Sequence, residues 1–238
     1  MFVVGHRGAP ALAPENTLPS FMKAIELGVD YIEFDVRASR DGKLVIIHDE
    51  TVNRTTDSKG LVSSYTSASL RKLDAGGWFG EEFKNVRIPT IDEVLRLVKD
   101  KASAVIHIKH EGIEDGVLNA VRKYDMIHRC IIMAPLTVSK RIKLSEPIIP
   151  IQADLPETDP RDAIDMLARN LVDIASIHIS NLNKNLVKLC HRSGLLVNVW
   201  DVDRPEQVEK CKEFEVEFVT TNDPKTVLET LRNLQSRD

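Results

Sequence analysis

Residues 31–48 read YIEFDVRASRDGKLVIIH, two short runs of strand-forming residues separated by a polar break. In the first run Ile32, Phe34 and Val36 alternate with Glu33 and Asp35. The two-residue period of a strand puts the apolar side chains on one face and both acids on the other. Only residues 38–43 lie between Arg37 and Leu44, too few for a parallel crossover, so the second run must return antiparallel. Asp41-Gly42 suits a two-residue type I′ turn, in which both central residues take positive φ. That turn pairs Arg40 with Lys43, sets Asp35 opposite His48 and leaves Glu33 on the same face. Buried acids without a cation cost several kcal/mol, so this face predicts a positive partner for Glu33 and Asp35.

Working outward, further Val/Ile/Leu-rich runs occur near residues 2–5, 104–109, 130–133, 148–151, 173–179, 195–200 and 216–220. Helical patterns lie between them, near 18–27, 91–100, 114–124, 137–144, 160–170, 183–193, 205–214 and 224–234. Thr90 before Ile91-Asp92-Glu93, Asp159-Pro160 and Asp223-Pro224 are helix-start signals. With one run assigned to the hairpin return, eight strands and interleaved helices predict an α/β fold, a TIM (β/α)8 barrel spanning 1–238 as one domain. Residues 49–89 exceed an ordinary loop and are read as a small insertion after the second strand's hairpin, above the barrel mouth. Within it, Gly76-Gly77-Trp78-Phe79-Gly80 lacks the strand-to-helix context of a phosphate loop. Trp78 and Phe79 are expected to pack on the barrel rim.

Composition narrows the function. Lys and Arg number 32 against 36 Asp and Glu, a net charge of −4, so no basic surplus points to nucleic acid. No apolar run is long enough for a membrane anchor. The start carries no basic and apolar leader, which predicts a cytoplasmic protein. Cys130, Cys190 and Cys211, odd in number and far apart, read as reduced thiols.

A barrel presents its chemistry at the C-terminal strand ends, and these ends are polar: His6-Arg7, Glu33 and Asp35, His48, His107 and Lys109, and Trp200. Glu33 and Asp35 repel each other unless a cation joins them, which suggests an oxygen-ligated divalent ion. Arg7 and Lys109 would repel that ion unless an anion lay between, and a phosphate satisfies both. With two histidines able to exchange protons near neutral pH, this is the equipment of a phosphodiester hydrolase. Gly8 is expected to allow close backbone approach to a ligand. Trp200 is either core or lid packing or a wall for substrate. His178 is expected to be structural, and His110, His128 and His191 to serve surface or packing roles.

The motifs His6-Arg7-Gly8, Pro14-Glu15-Asn16-Thr17, Glu33-Phe34-Asp35-Val36, Asp41-Gly42 and His48-Asp49 together resemble the glycerophosphodiester phosphodiesterase family. Weaker echoes follow at Ile108-Lys109, Val197-Asn198-Val199-Trp200 and Thr220-Thr221-Asn222-Asp223-Pro224. The resemblance implies a metal-dependent hydrolase cutting a small-molecule glycerophosphodiester into sn-glycerol 3-phosphate and an alcohol, usually with magnesium or calcium. It implies His6 and His48 as the acid-base pair, Glu33 and Asp35 as metal ligands, and Arg7 and Lys109 as phosphate binders. Where the family places a third metal-ligating glutamate, two residues before the strand lysine, this chain has His107. An imidazole shifts preference towards Mn, Co or Zn; His107 is expected as third ligand, or Glu111 as a substitute carboxylate. The competing readings are a lysophospholipase D-like enzyme and a catalytically silent phosphodiester-binding barrel.

Overall fold

Alternation along residues 31–36 sorts the side chains as expected. Ile32, Phe34 and Val36 are fully buried in the outer core under the helices, while Glu33 and Asp35 turn inward and are themselves almost fully buried. The computed structural model describes residues 1–236. Its strands are β1 (Phe2–Gly5), β2 (Tyr31–Ala38), β3 (Leu44–Ile46), β4 (Ser103–Ile108), β5 (Cys130–Met133), β6 (Ile151–Asp154), β7 (Ile174–His178), β8 (Leu196–Trp200) and β9 (Phe218–Thr221). Eight of them form a parallel barrel in the order β1-β9-β8-β7-β6-β5-β4-β2, closed by the β1–β2 pairing, and β3 lies antiparallel on β2.

The helices are α1 (Leu18–Leu27), α2 (Ser67–Leu70), α3 (Ile91–Val98), α4 (Glu114–Lys123), α5 (Leu136–Ser145), α6 (Pro160–Arg169), α7 (Lys184–Arg192), α8 (Pro205–Glu213) and α9 (Pro224–Gln235). The expected caps are made. Thr90 and Glu93 form a capping box on α3, and the Asp159 and Asp223 carboxylates accept the N–H groups of Arg161 and Thr226. Inside the barrel, Val4, Val105, Ile131, Ile174 and Phe218 fill the middle. The rings of Phe2, Tyr31 and Phe218, with centroids 5.3–5.9 Å apart, plug the N-terminal end. The interior is therefore filled below the C-terminal strand ends, where the mouth opens.

Three expectations about local structure are corrected. The hairpin turn spans three residues rather than two: the Ser39 N–H donates to the Lys43 carbonyl at 2.9 Å, and Gly42 sits at φ 71°. Val36 pairs with Ile46, so Asp35 lies opposite Ile47 rather than His48. A left-handed glycine closing a three-residue loop adds one residue and slips the register by one. The fifth barrel strand, β6, begins after Pro150, not at Ile148, which is 60% exposed. Its inward positions, Gln152 and Asp154, are polar because they face the mouth, and a search for an apolar run passes over them. Trp78 is 44% exposed and stacks edge-on with Phe79, which meets Phe83 in turn, so these rings cluster within the insertion rather than on the rim.

The segment from Asp49 to Pro89 carries its own small core. Val52, Val62, Leu70, Ala75 and Ile88 bury against Val45 and Ile47 of the hairpin. That packing fixes the segment beside the barrel mouth.

Candidate active site

The β1–α1 loop builds one wall. Arg7 adopts left-handed backbone geometry (φ 53°), which costs roughly 1–2 kcal/mol in a non-glycine residue. Hydrogen bonds hold it there: the Arg7 N–H donates to Glu33 Oε2 at 2.9 Å, and the Arg7 carbonyl accepts from Asn16 N–H and Ser20 Oγ–H, each at 3.0 Å. Gly8 is required at φ 95°, and a Cβ there would lie 2.4 Å from Ser20 Oγ. Gly8 thus permits a close approach of the loop to helix α1.

The acids of β2 are organised by what they already bind. Glu33 Oε2 is taken by the Arg7 N–H, and Asp35 Oδ2 accepts from Asn16 Nδ2 at 2.7 Å. The two remaining oxygens, Glu33 Oε1 and Asp35 Oδ1, lie 3.6 Å and 3.4 Å from His107 Nδ1. Ligand atoms of Glu33, Asp35 and His107 all fall within 4.8 Å of one another, so this donor set fits a divalent cation. Around it stand Arg7, with Nε 3.4 Å from Asp35 Oδ2, and Lys109, with Nζ 3.4 Å from Asp35 Oδ1. Burial alone would push the Asp35 carboxyl upward, but His107, Lys109 and Arg7 hold it well below the usual carboxylate range. Glu111 does not join them. β4 ends at Ile108, and Glu111 is exposed, accepting from Thr137 Oγ1 at 2.6 Å. The strand alternation that favoured it stops before it, so His107 is the third member of the cluster.

Each site imidazole is backed by a carboxylate. His6 Nδ1 is 2.9 Å from Asn222 Oδ1 and 3.2 Å from Asp201 Oδ1. Both neighbours are acceptors, which places the proton on Nδ1 and leaves Nε2 available. Asn222 is itself held by Asp203, which accepts its N–H at 2.7 Å and its Nδ2–H at 3.0 Å. Burial opposes charge on His6, yet the Asp201 hydrogen bond and the nearby Glu33 raise its pKa above the ordinary value. His48 follows the end of β3, where strand alternation no longer dictates direction, and reaches the mouth despite the register slip. Its Nδ1 lies 2.7 Å from Asp49 Oδ1 and its carbonyl accepts from Arg37 Nε at 2.8 Å. Burial lowers the His48 pKa, outweighing Asp35 and Asp49.

Sequence reasoning missed the brace behind these groups. Arg54, in the insertion, donates to both oxygens of Glu15 at 2.7 and 2.9 Å and to both oxygens of Asp49 at 2.8 and 2.9 Å. Glu15 accepts from Arg7 at 2.8 Å, so an alternating chain of charges runs Arg7, Glu15, Arg54, Asp49, His48. Arg54 holds the Asp49 carboxyl well below the usual carboxylate range, with His48 adding to the effect. Asp201, Asp203 and Asn222 were likewise unassigned. For Glu15, Asn16, Asp49 and Asn222, membership of the motifs was a signal; for Arg54 there was none but its place five residues after Asp49.

His6, Arg7, Glu33, Asp35, His48, His107, Lys109 and Trp200 line one cavity of about 260 Å³ at the barrel mouth. Among the described residues, Ser176 Oγ and Trp200 Nε1 are buried without a hydrogen-bond or ion-pair partner. Both belong to residues lining this cavity. Buried polar groups are normally satisfied, so the two mark a place for a polar ligand. His178 stacks on Trp200 at 4.7 Å. His110, His128 and His191 lie outside this cavity: His110 Nε2 accepts the Ala38 N–H at 3.2 Å, and His191 pairs with Glu217.

A parallel barrel whose open end gathers four acids, three imidazoles, an arginine and a lysine is a barrel enzyme equipped for a phosphate ester. Comparison with known proteins agrees. The model of the glycerophosphoryl diester phosphodiesterase family matches residues 6–226, and the chain belongs to that family. It is 38% identical over 239 residues to a glycerophosphodiester phosphodiesterase of Caldanaerobacter subterraneus subsp. tengcongensis, covering 97% of each chain. The crystal structure of a glycerophosphodiester phosphodiesterase from Agrobacterium tumefaciens superposes with a TM-score of 0.86 at 28% identity, covering 96% of this chain and 99% of that one. A phosphodiesterase of Oleispira antarctica, solved with its product sn-glycerol-3-phosphate, gives 0.87 at 26% identity, with 98% and 97% covered.

Proposed function

We propose that this chain hydrolyses glycerophosphodiesters to sn-glycerol 3-phosphate and an alcohol, using His6 and His48 as the acid-base pair and a divalent cation held by Glu33, Asp35 and His107. The observation that carries the reading is the meeting, in one cavity, of a cation-ready acidic cluster, two cationic side chains and two carboxylate-backed imidazoles. Arg7 and Lys109 bind the phosphate. The opposite pKa displacements of the imidazoles divide the work. His48, lowered, starts neutral and takes the proton of the glycerol 2-hydroxyl as that oxygen attacks phosphorus. His6, whose pKa Asp201 raises, gives its Nε2 proton to the departing alcohol oxygen.

The resulting cyclic phosphate is opened by water. His6, now neutral, accepts the water proton, and His48 returns its own to the glycerol 2-oxygen, restoring both. Asp201 and Asp49 hold the Nδ1–H groups throughout, so each ring presents the same atom in both steps. The cation, when bound, supplies positive charge to phosphoryl oxygens that grow more negative during attack. With an imidazole in place of a third carboxylate, the ligand set favours Mn or Zn relative to Mg or Ca.

Release of glycerol 3-phosphate from glycerophosphocholine, assayed with chelator and after metal is added back, tests this function. Turnover that needs metal supports it. Turnover of lysophospholipids alone would favour the lipid-directed reading, and none on either substrate would leave a silent binding protein.

A further inference from the structure

From the barrel mouth a second cavity, of about 840 Å³, runs outward over the ends of β6, β7 and β8. Asp154, Ser176 and Trp200 line both cavities, so the two are continuous. We propose that this groove binds the alcohol half of the substrate and selects alcohols that carry a positive charge, such as choline or ethanolamine. The proposal rests on the phosphodiesterase reading above and adds the identity of the leaving group.

Charge is arranged unevenly around the mouth. Arg7 and Lys109 stand on the β1, β2 and β4 side, whereas no Lys or Arg among the described residues lines the groove. The groove instead presents Asp154 and Glu157, both exposed, and neither carboxylate has an ion-pair or hydrogen-bond partner among the described residues. At its inner end Trp200 and His178 meet edge-to-face at 4.7 Å, forming an aromatic wall. The ring of His178 is held in place by Ser180, whose Oγ lies 2.6 Å from Nδ1. Carboxylates beside an indole face are the chemistry that recognises alkylammonium groups.

A neutral polyol is the rival occupant, and the charge of the lining separates the two: Asp154 and Glu157, with no Lys or Arg among the described residues, face the groove. Asn183 Oδ1 caps α7 by accepting from Leu186, its Nδ2 donates to the Asn181 carbonyl, and Ser180 Oγ is shared between His178 and Asn181. These groups are committed to one another, whereas the two carboxylates have no partner among the described residues. At the junction of the two cavities Ser176 Oγ, in a residue only 2% exposed, has no partner. A buried hydroxyl is left unsatisfied at a cost, and this one stands where the ester oxygen passes from the phosphate cradle into the groove.

The test compares kcat/KM on glycerophosphocholine and glycerophosphoethanolamine with that on glycerophosphoglycerol and glycerophosphoinositol. Wild type is expected to favour the two cationic substrates by about tenfold, the size of a partly desolvated cation–aromatic contact with carboxylate support. Asp154→Asn with Glu157→Gln should bring the cationic-to-neutral ratio close to one, with thermal melts confirming an intact fold. Equal efficiencies in wild type, a preference for the neutral substrates, or a ratio that survives the double substitution would each overturn the selection. Failure to cleave any of the four would overturn the phosphodiesterase reading itself.

Discussion

Replacing Arg54 by glutamine asks whether the insertion orders the imidazole it reaches. Arg54 makes four hydrogen bonds of 2.7–2.9 Å to Glu15 and Asp49, and those carboxylates hold Arg7 at 2.8 Å and His48 at 2.7 Å. Its side chain is 43% exposed, so each ion pair is worth the roughly 0.2–1 kcal/mol of a solvated pair rather than the value of a buried one. Losing two costs about 1 kcal/mol, which lowers Tm by about 2–4 °C in a chain of this length. The kinetic effect is larger. Without Arg54, Asp49 is free to swing, and His48 loses the fixed acceptor for its Nδ1–H. Misplacing a reacting group by about 1 Å costs on the order of 10²-fold in rate, so kcat should fall about 10- to 100-fold while the fold barely loosens. Arg54→Lys keeps a charge but not the fork that spans two carboxylates, and should recover only part of the loss. Steady-state kinetics on glycerophosphocholine with parallel melts read both quantities. Wild-type kcat and an unmoved pH profile in Arg54→Gln would refute the idea that this brace positions His48.

Other expectations follow from the same geometry. His6→Ala and His48→Ala should each lower turnover by at least about 10²-fold with little change in Tm; near-normal rates in both would remove the acid-base assignment. Burial works against protonating His6, and Asp201 is the strongest group raising its pKa, so Asp201→Asn should lower that pKa. The alkaline limb of kcat/KM, where His6 loses its proton, should then move to lower pH, and an unmoved limb would detach Asp201 from His6. Replacing His107 by glutamate should raise affinity for Mg and Ca relative to Mn and Zn. Calorimetric titration measures this, and an unchanged order of affinities would exclude His107 from the ligands.

What the sequence made legible was set by periodicity. Alternation in β2 placed Glu33 and Asp35 inside the barrel and Ile32, Phe34 and Val36 outside, because a strand has only two faces. Helix caps at Thr90, Asp159 and Asp223 were readable because they are local chemistry. Polar strand ends pointed to His6, Arg7, His48, His107, Lys109 and Trp200, which the cavity brings together. Illegible features depend on geometry beyond the period. One extra loop residue at Gly42 shifted the hairpin register. β6 is short, with polar inward positions, and was passed over for the apolar run before it. Glu111 was placed by extending alternation past the end of its strand. Arg54 and Asp201 act from loops, where spacing does not determine what a side chain meets.

The central claim is that a cation and a phosphate meet between Glu33, Asp35 and His107 on one side and Arg7 and Lys109 on the other, within reach of His6 and His48. Anomalous diffraction from crystals soaked with manganese and glycerol 3-phosphate tests it directly. The account predicts one manganese peak bounded by Glu33, Asp35 and His107, with the phosphate against Arg7 and Lys109. Manganese bound away from those three residues, or a phosphate seated outside the barrel mouth, would contradict it.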